Sequence, residues 1–122
     1  MRSVQTRPDA KFYQDTIRTS ECHSPSLLLS ELANALWKTV RFADLTPDDA
    51  NRLLSDMAAI PYFTGDDTLI AAALDIAISH DHSVYDCLFI ALSRRLEAPI
   101  LTADKKLRRK FPGDQFVDIK TS

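Results

Sequence analysis

Glycine is scarce, with two in 122 residues, which excludes collagen-like and glycine-rich linker architectures. Cysteine is equally rare: Cys22 and Cys87 stand alone without C-x-x-C spacing. That is not the pattern of a disulfide framework, and it suits a reduced, cytoplasmic setting. Cys87 falls within a helical apolar pattern and is read as a buried thiol. No apolar run reaches the length of a membrane span, since stretches such as LLLSELANALW are interrupted by charged or polar residues. Residues 1–12, MRSVQTRPDAKF, are polar and lack the apolar core of a secretory signal. There is no internal repeat and no low-complexity segment.

What is present is the composition of a soluble globular protein, 45% hydrophobic and 26% charged. A single domain over residues 1–122 is expected. A chain of this length buries about two thirds of its unfolded surface and needs no covalent staple. Charge is unevenly placed. Residues 1–93 carry seven Lys/Arg and thirteen Asp/Glu, and residues 94–122 carry eight and four. The local balances are −6 and +4, against −2 for the whole chain. The basic excess is concentrated in KKLRRK, Lys105 to Lys110. Such a run serves either as a solvated helix face or as a phosphate-binding rim beside an acidic centre.

Hydrophobic periodicity and boundary residues give an alternating order of helices and short strands. A first helix is predicted over residues 8–19 and a very short strand over 21–23. A second helix starts at Ser24-Pro25 and carries the stripe Leu28, Leu32, Leu36 and Val40. Thr46, followed by Asp49, opens a third helix as a capping threonine. Residues 58–63, AAIPYF, offer a short extended segment. Asp66 or Asp67 caps a fourth helix reaching about Ser79. A fifth helix covers Val84 to Leu96, a buried strand lies in APILTAD, a short helix covers KKLRRKF, and a last strand runs from Phe116 to Ile119. This mixture predicts an α/β fold with a small parallel sheet flanked by helices.

Three carboxylates stand out. Glu31 lies mid-helix beside apolar positions, where a lone glutamate commonly reaches for water. Asp86 follows Ser83 by three residues, so Ser83 and Asp86 resemble a capping box, yet Asp86 directly precedes Cys87, Leu88 and Phe89. Asp104 follows a strand and precedes a helix. That suits either an N-cap or a ligand position beyond the carboxyl end of a parallel strand. Were the three to converge, their repulsion would require raised pKa values or a bound cation. Oxygen donors without clustered Cys or His favour Mg²⁺ or Mn²⁺, which often retain waters and grip substrate phosphates. His80 and His82 form an H-x-H pair without a third soft ligand and are read as exposed loop residues. Trp37, Phe42, Tyr62 and Phe63 are read as core or interface rather than base-stacking platforms.

The segments SPSLLLSELANALWK, SVYDCLFIALSRRL and PILTADKKL, in this order and spacing, resemble the PIN-domain family, and within it the VapC-type toxin ribonucleases. The resemblance covers about Pro8 to Ile119. It implies a three-layer α/β/α sandwich, Mg²⁺- or Mn²⁺-dependent cleavage of RNA, neutralisation by a cognate antitoxin and, as in many members, a homodimer. By the same resemblance Glu31, Asp86 and Asp104 are catalytic and metal-binding. Thr102 supports Asp104 or a water beside it. Lys105, Lys106, Arg108, Arg109 and Lys110 are candidates for RNA contact.

One part of the family pattern is unmatched. Members begin with a central hydrophobic strand ending in aspartate, whereas this sequence begins MRSVQTRPDA. Asp9 and Asp15 belong to the following helix. The comparison therefore predicts a PIN-like domain lacking its central first strand and its first metal ligand, with weakened or absent nuclease activity; residues 2–6, RSVQT, or a segment exchanged between two chains are the candidates to fill the gap in part. The alternative is a non-catalytic module that binds an antitoxin, RNA or itself.

Overall fold

The computed structural model describes residues 2–5, 21–102 and 104–117. The expected helix over 8–19 and the end of the expected last strand lie outside these residues. The architecture is α/β, built on a four-stranded sheet of order β3-β2-β1-β4 with β1 Arg2–Gln5, β2 Glu21–Pro25, β3 Tyr62–Thr64 and β4 Ile100–Leu101. Every pairing is parallel.

The expectation of a missing central strand is corrected here. Arg2–Gln5 occupies an interior position, with Val4 opposite both His23 of β2 and Ile100 of β4, and Gln5 opposite Leu101. A central parallel strand normally reads as an apolar run, and RSVQ does not. The ladder is nevertheless made by backbone groups, and both edges of this short segment find partners. Arg2–Gln5 contains no carboxylate, and the next residue is Thr6.

Helix α1 spans Leu27–Phe42, not the predicted start at Ser24-Pro25. Those two residues end β2, where Pro25 pairs with Thr64. A proline is tolerated at such a strand end. Ser26 takes the N-cap position without a side-chain cap of its own. Its amide instead donates to the Thr64 carbonyl at 2.9 Å, and Asp66 Oδ1 accepts from the Leu27 amide at 3.0 Å. One of the two acids expected to cap the predicted fourth helix therefore caps α1. Helix α2, Pro47–Ala58, begins as predicted, with Thr46 Oγ1 accepting from the Asp49 amide at 3.1 Å.

A 3₁₀ turn at Asp66–Thr68 leads into α3, Ile70–His80. Helix α4 spans Val84–Leu96, as predicted. Its residues Cys87 to Ser93 are all buried, because the helix packs against α3 and against β1, β2 and β4. A helix enclosed on all sides loses the amphipathic pattern of a surface helix. Leu69, Ala73, Ile76, Ile100, Leu107 and Phe111 complete the core around it. Helix α5, Lys105–Lys110, follows β4. Beyond it, Phe116 bridges Ile100 in parallel, which is what the described residues contain of the expected last strand. Trp37, Phe42 and Tyr62 are more than half exposed, so of the expected core or interface role the core half is not met.

Candidate active site

The topology carries the three candidate carboxylates toward one edge of the sheet. Glu31 lies near the start of α1, which follows the carboxyl end of β2. Asp86 is in the first turn of α4, whose other end feeds β4. Asp104 lies just past the carboxyl end of β4. This edge is where parallel α/β sheets bind ligands.

Asp104 is positioned by its own helix. Its Oδ1 accepts from the amides of Lys106 and Leu107 at 3.0 and 3.1 Å, which makes it the N-cap of α5. Its amide donates to Thr102 Oγ1 at 3.0 Å. Thr102 is buried, so the hydroxyl fixes the turn that presents the aspartate. The two readings offered for Asp104 are compatible: one oxygen caps, and the other makes no hydrogen bond among the described residues.

Asp86 is held differently. Ser83 Oγ accepts its amide at a long 3.5 Å, so Ser83 does cap α4. The carboxylate does not complete a capping box. Its Oδ2 accepts from His82 Nε2 at 2.8 Å. The Asp86 side chain remains 42% exposed, and its Oδ1 has no hydrogen-bond partner among the described residues.

The reading of His80 and His82 as exposed loop residues is corrected. The ring of His80 stacks on Phe111 with centroids 4.6 Å apart, and His82 meets the same ring edge-on at 5.6 Å. His80 Nδ1 also donates to the Ile76 carbonyl at 3.1 Å. Phe111 is buried and closes α5 through its amide bond to the Leu107 carbonyl. The aromatic contact therefore links the helix capped by Asp104 to the turn that holds Asp86. The i, i+4 spacing of His82 and Asp86 was visible in the sequence, but the role of Phe111 in fixing that turn was not.

Next to Asp86, Cys87 is a buried thiol, as expected. Burial, and then the charge of Asp86, push its pKa from 9.0 to about 11. Cys22 is also buried, and the two are thiols rather than a disulfide. Glu31 is exposed on α1.

The donor chemistry of the site fits a hard divalent cation, since Asp86 and Asp104 each fix one carboxylate oxygen and leave the other open. The described residues do not, however, bring Glu31 and the two aspartates into a ready three-carboxylate cluster. Among them, no group of three or more His, Cys, Asp or Glu side chains is arranged to hold a metal ion.

The basic helix divides in two. Lys105, Lys106, Arg109 and Lys110 are exposed. Arg108 is committed within the fold: its Nη2 donates to the Val117 carbonyl at 2.7 Å, and its guanidinium lies over the Phe116 ring.

The PIN-domain profile matches residues 3–111, a span that includes Glu31, Asp86, Asp104 and the basic helix. The chain belongs to the PIN-domain family. Among characterised members, ribonuclease VapC3 of Pyrobaculum aerophilum is 31% identical over 100 residues, covering 79% of this chain and 76% of that protein. The crystal structure of PAE2754 from Pyrobaculum aerophilum superposes with a TM-score of 0.73, covering 93% of this chain and 83% of its own. At 20% identity, that second likeness speaks for the fold. The PIN assignment agrees with the α/β architecture and with the three motifs that suggested it.

Proposed function

We propose that this PIN-domain protein is a VapC-type toxin, an endoribonuclease using Mg²⁺ or Mn²⁺ at Glu31, Asp86 and Asp104. The observation that carries the reading is the placement of Asp86 and Asp104 at two helix starts on one edge of a parallel sheet. Each has one oxygen fixed and one open. The relative named ribonuclease VapC3 points to the same chemistry. A divalent cation, when bound, would offset carboxylate repulsion and stabilise charge on the RNA phosphate.

The protein's own residues do the positioning. Thr102 and the α5 amides orient Asp104, and His82 engages Asp86. Lys105, Lys106, Arg109 and Lys110 extend along the helix from Asp104 and supply phosphate contacts. With no carboxylate in β1, the described residues supply fewer anionic ligands than the family pattern, and slow turnover is expected. RNA cleavage in Mn²⁺ by the chain and by Asp86→Asn is the test. Equal cleavage by both refutes the assignment.

The partners proposed are a cognate antitoxin and a second copy of the chain, in the cytoplasm. Two apolar surfaces support this. One is the groove between α1 and α2, lined by Leu36, Trp37, Val40, Ala50 and Leu54. The other is the exposed row Ile70, Leu74 and Ile78 on α3. Among the described residues, no helix is long and apolar enough to cross a membrane.

A second reading, a non-catalytic binding module, is favoured by the absence of a three-carboxylate cluster among the described residues. Tight antitoxin binding without specific Mg²⁺ or Mn²⁺ uptake would select it.

A further inference from the structure

The two aspartates of the site both stand at helix starts, Asp104 as the N-cap of α5 and Asp86 in the first turn of α4, and are held by unlike partners. Asp104 turns its Oδ1 onto the amides of its own first turn, as a capping aspartate does. Asp86 follows its helix's own cap, Ser83, by three residues, and its carboxylate engages the imidazole of His82 at 2.8 Å. A half-exposed carboxylate on a helix would otherwise sample several rotamers. The imidazole selects one of them and decides which oxygen remains open.

His82 is itself immobilised at three points. Its amide donates to the Ala77 carbonyl at 3.1 Å, closing the end of α3. That closure depends on Asp81 adopting a left-handed conformation, with φ of 51°. The ring is set edge-on against Phe111, which His80 stacks upon in turn. Its Nε2–H then meets Asp86 Oδ2. Packing fixes the donor, and the donor fixes the carboxylate.

We infer that His82 is a positioning residue for Asp86, holding Oδ2 so that Oδ1 faces a divalent cation. The inference rests on the proposed metal-dependent reading of the site and assigns to His82 the outer-shell role that such a site requires. His82 touches neither substrate nor cation; it acts through Asp86.

Two variants of the full chain separate positioning from packing. His82→Leu keeps an apolar group against Phe111 and removes the donor. His82→Gln supplies an amide donor of similar reach. Mn²⁺ affinity is read by the loss of the free-ion electron paramagnetic resonance signal. The Asp86 carboxyl ¹³C shift is read without metal, and melting temperature reports folding. Loss of an outer-shell partner costs about 10–100-fold in metal affinity. His82→Leu should therefore bind Mn²⁺ at least about tenfold more weakly and move the Asp86 resonance. His82→Gln should recover most of the affinity.

Parent-like Mn²⁺ affinity in His82→Leu overturns the positioning role and leaves the proposed function intact. Equal weakening in both variants, alongside equal losses of melting temperature, assigns His82 to packing and also overturns it. If the parent chain takes up no Mn²⁺, the metal-dependent reading falls and this inference falls with it.

Discussion

The carboxylate of Asp66 caps the amide of Leu27 at 3.0 Å, joining residues 39 positions apart. The contact ties the 3₁₀ turn after β3 to the first turn of α1, the helix that carries Glu31. Side-chain caps are worth about 0.5–2 kcal/mol. Asp66→Ala should lower unfolding stability by that amount in urea, and Asp66→Asn, which keeps an acceptor, by less. A stability unchanged in Asp66→Ala would show that the cap contributes nothing.

The Arg94–Asp114 pair is the second long-range tie. Two parallel bonds of 2.9 Å join the end of α4 to the loop after α5. The hydrogen bond to Asp114 is the main reason the Arg94 guanidinium pKa is raised. The Asp114 side chain is only 10% exposed, so removing Arg94 leaves a largely buried acceptor short of its partner. Arg94→Ala should cost about 1–3 kcal/mol. A double-mutant cycle with Asp114→Ala should show that most of this is coupling between the two.

Cys87 predicts a pH dependence. Its pKa is pushed up from 9.0 to about 11 by burial and by Asp86, so the folded state favours the neutral thiol. The stabilisation is complete below pH 9.0 and is lost as pH rises through about 11. Between those values the unfolded chain ionises first. The stability gap between the parent and Cys87→Ala should shrink over that interval. A constant gap from pH 8 to about pH 11 would contradict the shift.

The elements legible in the sequence were those stated by local chemistry. Thr46 and Ser83 mark the starts of α2 and α4 because a hydroxyl before an apolar run does the capping itself. Asp104 was legible for the same reason. The start of α1 was misread because its cap comes from Asp66, which only the β2–β3 pairing brings near. Strand β1 is legible only as a candidate filler of the central position, because its place is secured by backbone partners on both sides, while RSVQ lacks the apolar composition of an interior strand. The sequence around His82 reads as an exposed loop because the ring that anchors it, Phe111, lies 29 positions further along. Glu31 was placed on the correct helix, but joining it to the two aspartates requires tertiary information that helical spacing does not contain.

The basic helix makes a prediction about salt. Each phosphate contact to a single strand contributes about 0.7 to the slope of log affinity against log salt. Neutralising Lys105, Lys106, Arg109 and Lys110 together should weaken RNA binding and flatten the slope. Arg108→Gln should act mainly on stability, because its guanidinium is held by Val117 and Phe116. Unchanged binding at low salt in the fourfold variant would remove this face from the RNA site.

The central claim is that Asp86 and Asp104 serve one metal-dependent nuclease site. The most direct measurement is the rate of RNA cleavage in Mn²⁺ by the parent, Asp86→Asn and Asp104→Asn, from identical preparations with matched melting temperatures. The expected result is slow cleavage by the parent that stops on chelation, with each variant slower by at least about 100-fold, or about 2.7 kcal/mol of barrier. Cleavage at the same rate in all three, or cleavage unaffected by chelation, would contradict it.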